Sequence, residues 1–213
     1  MNRLDVASEW IYSAISDFYF AFCMQNQKFR MYATFFDIMG VEKICKGILL
    51  FHNASVYEQL SEQCACQRIE EELKTRWSHS LKKMLKDIAA IIGQHKMNDI
   101  LSARFDGFTG KQFRNVVERG YMESRYPTAN PIYRQFPVKK YSKGGGPKLF
   151  CDPLGSSGRH KFGYRLSQEI LLHLKGVENF SDLRISVENL LGVEDTGRRF
   201  TNLFFKGDIT KYL

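Results

Sequence analysis

The sequence predicts an all-α protein, an up-and-down helical bundle with one long irregular insertion before a late core helix. Over most of the first hundred residues, apolar side chains recur every three or four positions, which is the period of an α-helix, and strand signals are weak. A basic segment rich in proline and glycine then separates this region from renewed helical periodicity near the C-terminus. A chain of 213 residues with 44% hydrophobic residues is long enough to bury a substantial core without disulfides.

Two long apolar patterns open the chain. The residues from Asp5 to Gln25 form an amphipathic pattern, with Asp5 as a candidate N-cap. A second run, from about Lys28 to Phe51, is long and apolar enough for a central bundle helix, with Gly40 as a candidate interruption. Ser55 is a candidate cap for a third helix.

The later helices are shorter. A fourth segment runs from about Thr75 to Ile92 on a stripe of apolar residues and ends near Gly93. Thr109 then stands before a helical stretch that prolines stop. A further helix ends near Gly176, and Ser181 opens a last one. We therefore divide the chain into a bundle over residues 1–175 and a C-terminal helical extension over residues 176–213 that packs on it.

The net charge of +8 is concentrated in one third of the chain. Residues 104–175 carry fourteen Lys or Arg against five Asp or Glu, a balance of +9, whereas the remainder carries seventeen against eighteen, a balance of −1. The irregular insertion over residues 125–165 contains nine basic residues and one acid. Its stretch SKGGGPK, residues 142–148, lacks the Walker frame and predicts a flexible basic loop. Such an excess indicates an anionic partner, although a solvated basic surface would have the same composition.

The cysteines and the hydropathy pattern limit the class of protein. The five cysteines are odd in number and scattered, which predicts reduced and mostly buried thiols. Cys64 and Cys66 have a spacing that does not match a zinc half-site, so we expect neither a metal nor a cofactor. No apolar run has the length of a bilayer span, and the N-terminus lacks a signal-peptide pattern. We expect a cytoplasmic protein without a membrane partner.

Three short sequence blocks follow one another in the order in which a known protein family has them. Residues 40–53, GVEKICKGILLFHN, contain an acid-Lys-x-x-Lys pattern that leads into an aliphatic run, formed by Glu42, Lys43 and Lys46. Residues 78–88, SHSLKKMLKDI, are similar to a His-x-Leu-x-x-Leu stretch, with Met84 one position early, on His79, Leu81 and Leu85. Residues 121–127, YMESRYP, contain Arg-Tyr-Pro. Together the blocks resemble the HEPN superfamily, small helical domains named for nucleotide binding.

The resemblance covers residues 1 to about 175 and implies a four- or five-helix up-and-down bundle, commonly a homodimer with a polar groove at its interface. Some members cleave RNA without a metal through an Arg-x(4–6)-His pattern, and others bind nucleotides or act as non-catalytic partners. None of the five histidines here has an arginine at that distance. The nearest arrangements give the candidate catalytic residues, which are the pair Arg159 and His160 and the pair Arg165 and His173.

The chemistry of metal-free RNA cleavage explains this choice of residues. A base must deprotonate the ribose 2′-hydroxyl, and a cation must stabilise the charge that builds on the phosphate, which are tasks suited to histidine and arginine. On one continuous helix, Arg165 and His173 would lie about 80° apart around the axis and about 12 Å apart along it. That separation is too large for both to act on one phosphate in a single protomer.

The leading interpretation is a HEPN-like protein that binds a nucleotide or RNA through a basic groove or loop. The candidate binding residues are Arg125, Lys139, Lys140, Lys143, Lys148, Lys161 and His79. Two alternatives remain open. One is a metal-independent endoribonuclease, such as a toxin or an anti-phage effector, and the other is a protein-interaction module whose basic loop contacts an acidic partner. A homodimer is expected from the resemblance.

Overall fold

The computed structural model describes residues 3–26, 30–105, 108–112, 114, 162–174 and 180–190. This part of the chain is almost entirely helical, so the predicted all-α class is confirmed. The helices, in chain order, are α1 (Arg3–Asn26), α2 (Arg30–His52), α3 (Ala54–Glu58), α4 (Glu62–Glu71), a π-helical segment (Glu72–Trp77), α5 (Leu81–Ile92), α6 (Gln94–Ser102), α7 (Phe162–Leu174) and α8 (Phe180–Leu190). A two-residue antiparallel ladder joins β1 (Arg104–Phe105) to β2 (Phe108–Thr109).

Helices α1 and α2 form an antiparallel pair, and other described helices pack against it. Helices α5 and α7 pack on α2, and α8 packs on α1. Side chains from all of these helices share one hydrophobic core, with Ile11, Ile44, Ile88, Ile170 and Val187 among its fully buried members. The apolar stripes that predicted the helices are therefore the faces that they bury. No described helix is long and apolar enough to cross a membrane.

Two glycines allow α1 and α2 to approach closely. A Cβ atom on Gly40 would lie 2.6 Å from Cε1 of Phe18, and one on Gly47 would lie 2.6 Å from Cγ1 of Ile11. The interruption predicted at Gly40 is wrong, because α2 runs without a break from Arg30 to His52. A larger residue at either position would collide with α1, which explains why glycine occurs within this helix despite its low helix propensity.

Several predicted helix starts need correction. Asp5 lies in the first turn of α1 rather than at its cap, since that helix begins at Arg3. Ser55 lies within α3, and Ser61 instead caps the next helix, α4, by accepting a hydrogen bond from the backbone N–H of Cys64. Capping depends on the local backbone conformation, which for Ser61 is extended with ψ near 156°.

The segment predicted as one helix from Thr75 to Ile92 is divided. It begins within the π-helical segment and breaks at Ser78, whose φ of 45° lies in the left-handed region. Ser80 then caps α5, which ends as predicted at Gly93. Helix α6 was not predicted, because its short polar sequence buries little more than Met97 and Ile100.

The helix start expected after Thr109 agrees with the structure. Thr109 caps the next helical residues, since its Oγ1 accepts from the backbone N–H of Gln112, whose Oε1 accepts from the backbone N–H of Thr109. Most of that predicted helix lies outside the described residues. Helices were expected in the regions of α7 and α8, and the predicted end at Gly176 lies outside the described part. The start predicted at Ser181 is wrong, because α8 begins at Phe180 and Ser181 lies within it.

A buried carboxyl group of α2 anchors the start of α7. Asp37 is fully buried, and its Oδ2 accepts a hydrogen bond from the backbone N–H of Gly163 at 3.0 Å. The backbone of Tyr164 also contributes to this contact. A Cβ atom on Gly163 would lie 2.5 Å from Asp37 Oδ2, so glycine is required for this approach. Asp37 thus takes the place of a cap residue for α7 although it lies far away in the sequence.

Candidate functional site

A buried carboxylate on α2 organises a polar network that extends to the protein surface. The Oε1 atom of Glu42 accepts hydrogen bonds from Lys46 Nζ at 2.6 Å and from His79 Nδ1 at 3.0 Å. Glu42 and Lys46 are buried, whereas the side chain of His79 is 49% exposed. Because a carboxylate can only accept, the proton of this contact lies on Nδ1. The network therefore presents an oriented imidazole to solvent.

Local structure explains how these three side chains meet. Glu42 and Lys46 are four residues apart on α2, which places them on one face of the helix. His79 lies in the short break between the π-helical segment and α5, where Ser78 has its left-handed conformation and Ser80 caps the next helix. His79 belongs to neither helix, and this break brings its ring to Glu42.

A second ion pair continues the network toward α1. Lys43 Nζ lies 2.7 Å from Asp17 Oδ2 and donates a hydrogen bond to Ser13 Oγ at 2.8 Å. Lys46 Nζ lies 5.3 Å from the centroid of the Trp10 ring, close enough for a cation–π interaction. Trp10, Ser13 and Asp17 follow one another at helical spacing, so α1 provides one polar stripe opposite the lysines of α2.

The network contains equal numbers of carboxylate and ammonium groups, and removing these groups from water costs free energy. Burial raises the pKa of Asp17, the hydrogen bond and charge of Lys43 oppose this rise, and the nearby Glu42 adds to it. The Oε2 atom of Glu42 is buried and has no hydrogen-bond partner among the described residues. Two carboxylates face two ammonium groups here, and a buried charge that loses its partner is strongly destabilising. The Lys43–Asp17 pair thus ties α2 to α1, whereas the Glu42–Lys46 pair lies within α2.

The surface beside His79 carries three lysines that were not among the binding residues predicted from the sequence. Lys82, Lys83 and Lys86 are exposed on α5, directly after His79 and Ser80. They belong to the stretch KKMLK, whose apolar residues predicted the buried face of this helix. The periodicity that marks the buried face of a helix also marks its exposed face.

The structure places three of the residues predicted as site residues. His79 contacts Glu42, as described above. Arg165 and His173 both lie on the continuous helix α7, about 12 Å apart along its axis, and their side chains are partly buried. The other candidates lie outside the described residues, and they are Arg125, Lys139, Lys140, Lys143, Lys148, Arg159, His160 and Lys161.

Two of the three blocks in the sequence resemblance meet in space. Glu42 comes from the first and His79 from the second, 37 positions further along the chain, and their side chains form one hydrogen bond. The third block, residues 121–127, lies outside the described residues.

No group of three or more side chains that could hold a metal ion occurs within the described ranges. The cysteines described there, Cys23, Cys45, Cys64 and Cys66, carry free thiols. In comparisons with known proteins, no family model, curated protein or solved structure matches this chain.

Proposed function

We propose that the protein binds RNA or a nucleotide on a cationic surface that includes His79 and the basic insertion over residues 125–165. The observation that carries the proposal is the Glu42–His79 hydrogen bond, which holds a half-exposed imidazole beside the N-terminus of α5. A protein that binds phosphates needs fixed donors at its surface, because ordering a mobile side chain reduces the affinity. The buried Glu42 supplies that fixation here.

The distribution of charge supports the same proposal. The excess of +9 over residues 104–175 accounts for all of the net charge of +8, since the remainder has a balance of −1. Proteins that neutralise phosphates concentrate Lys and Arg in this way, whereas a merely soluble protein needs no such concentration. The far end of the insertion joins the bundle on α2, the helix that carries Glu42, because Asp37 holds the start of α7.

The first experiment incubates the full chain with labelled single-stranded RNA in EDTA, and reads the products on native and denaturing gels. We expect a shifted band on the native gel and intact RNA on the denaturing gel. Binding should weaken as salt rises, because phosphate contacts release counterions. Absence of any shift at low salt, together with no binding of free nucleotides, would refute the proposal. RNA cleavage that resists EDTA would instead support the ribonuclease alternative.

Variants of the candidate residues test the site itself. His79→Ala should weaken binding, and the matched control is His95→Ala, because His95 on α6 is 91% exposed and pairs with Asp99 rather than a buried acid. Charge reversal at Lys139, Lys140 and Lys143 should weaken binding further. If His79→Ala and His95→Ala bind RNA equally while both remain folded, His79 is not part of the site.

A further inference from the structure

We infer that the outer face of α5 binds the sugar–phosphate backbone of an RNA strand, so that the ligand is a polynucleotide rather than a free nucleotide. This inference rests on the proposed function and specifies its ligand class. It concerns Lys82, Lys83 and Lys86, three exposed residues of a fully described helix.

The three lysines form one row on the side of α5 that faces away from the core. At 100° per residue, Lys82, Lys83 and Lys86 lie within an arc of about 100°. The buried residues Met84, Leu85 and Ile88 centre on the opposite side of the helix. Lys82 and Lys86 are one turn apart, about 6 Å along the axis. The lysines therefore present a continuous cationic ridge to solvent.

Helix α5 itself carries one acidic residue, Asp87, which is partly buried. Its Oδ2 accepts hydrogen bonds from Arg76 Nε at 3.1 Å and from Trp77 Nε1 at 3.0 Å. The charge of Asp87 is thus compensated by Arg76.

His79 precedes the ridge in the chain. It lies two residues before Leu81, the first residue of α5, and Glu42 fixes its ring there. The helix terminus adds a partial positive charge of about half an elementary unit. The ammonium groups of Lys82, Lys83 and Lys86 thus begin in the first turn of α5, next to this partial charge.

The linear arrangement of the three lysines favours a polynucleotide strand over other anionic ligands. A strand repeats its phosphates along its length, whereas a free nucleotide concentrates them at one end, where one or two cations are sufficient. A membrane surface is disfavoured because a helix that lies on a bilayer inserts its apolar face, and that face of α5 is already buried in the core. The repeated cations of α5 therefore fit a repeated phosphate backbone.

The test compares a triple variant, Lys82→Gln, Lys83→Gln and Lys86→Gln, with a control triple variant, Lys74→Gln, Lys96→Gln and Lys111→Gln. All six lysines are exposed, so both variants lose the same charge from the surface. Binding of a single-stranded RNA of about a dozen nucleotides is measured from low to moderate salt. Loss of three phosphate contacts should reduce the slope of log Kd against log salt by about 2. Affinity at 0.1 M salt should fall on the order of a hundredfold.

The same titrations separate failure of the inference from failure of the proposed function. If wild-type protein binds the strand and both triple variants bind it with equal slopes, the inference is overturned and the proposed function stands. If wild-type protein binds a mononucleotide as tightly as the strand, the ligand class is wrong. If it binds neither, or binds only polyglutamate, the proposed function fails and the inference with it. Circular dichroism and thermal melting of each variant confirm that the fold is retained.

Discussion

Replacing Asp37 with asparagine should remove a pH-dependent loss of stability that this carboxyl group imposes on the wild-type protein. Asp37 is fully buried beneath the start of α7, where its Oδ2 accepts from the backbone of Gly163 and its Oδ1 has no hydrogen-bond partner among the described residues. Burial raises its pKa from the ordinary 3.8 to about 8, although the backbone hydrogen bonds oppose this rise.

The sign of the effect follows from the two pKa values. Below about pH 4 the carboxyl group is protonated in both the folded and the unfolded chain, so it imposes no penalty. As the pH rises from about 4 to 8, the unfolded chain releases the proton while the folded chain retains it, and the free energy of unfolding falls. Above about pH 8 both states are ionised and the loss levels off.

The magnitude follows from the size of the shift. Each pKa unit corresponds to about 1.4 kcal/mol, so a rise of about four units sets an upper limit on the order of 5 kcal/mol. Asparagine has nearly the same shape, keeps a carbonyl oxygen that can accept from Gly163, and does not titrate. We therefore expect Asp37→Asn to gain about 3 to 5 kcal/mol relative to wild type between pH 4 and pH 8.

Urea unfolding of both proteins at several pH values measures this difference directly, because titrations that the two proteins share cancel. Asp182→Asn is the control, since Asp182 is an exposed acid in the first turn of α8 and solvent screens its charge. A difference between wild type and Asp37→Asn that stays constant from pH 4 to pH 8 would show that burial does not govern this carboxyl group.

Two further predictions concern buried positions of α2. Gly47→Ala should destabilise the fold by about 1–3 kcal/mol, because the added methyl group would lie 2.6 Å from Ile11 Cγ1; a thermal melt equal to that of wild type would contradict this packing. Lys46→Met should cost about 3–5 kcal/mol by leaving Glu42 buried without its ammonium partner. The double variant with Glu42→Gln should recover much of that loss in chemical denaturation, and equal stability of the single and double variants would exclude the ion pair as the cause.

The sequence predicted helices wherever the apolar period was strong. Helices α1 and α2 lie close to their expected ranges, and helical residues follow Thr109 as expected. The single helix expected from Thr75 to Ile92 was wrong, because the left-handed conformation of Ser78 leaves no mark in the hydrophobic pattern. The cap at Ser55 was wrong as well, because a capping side chain is common to many serines and only the backbone selects one of them.

The sequence identified residues of the candidate site but not the contacts between them. Glu42, Lys46 and His79 were each identified through the family resemblance, but their hydrogen bonds depend on how α2 packs against the break before α5. The lysines of α5 were not predicted as binding residues, because the apolar period identifies the buried face of a helix and does not assign a role to its exposed face. Most of the basic candidates fall in residues 115–161, outside the described residues.

Composition and periodicity by themselves determined the helical class, the approximate positions of the main helices and the concentration of positive charge in one third of the chain. These are local properties, since a helix buries its stripe whatever partner it meets. Tertiary structure decided that Gly40 and Gly47 are contact points rather than breaks, that Asp37 holds α7, and that Glu42 orients His79. Each of these depends on atoms brought together from distant positions, and such contacts leave no periodic signal along a single sequence.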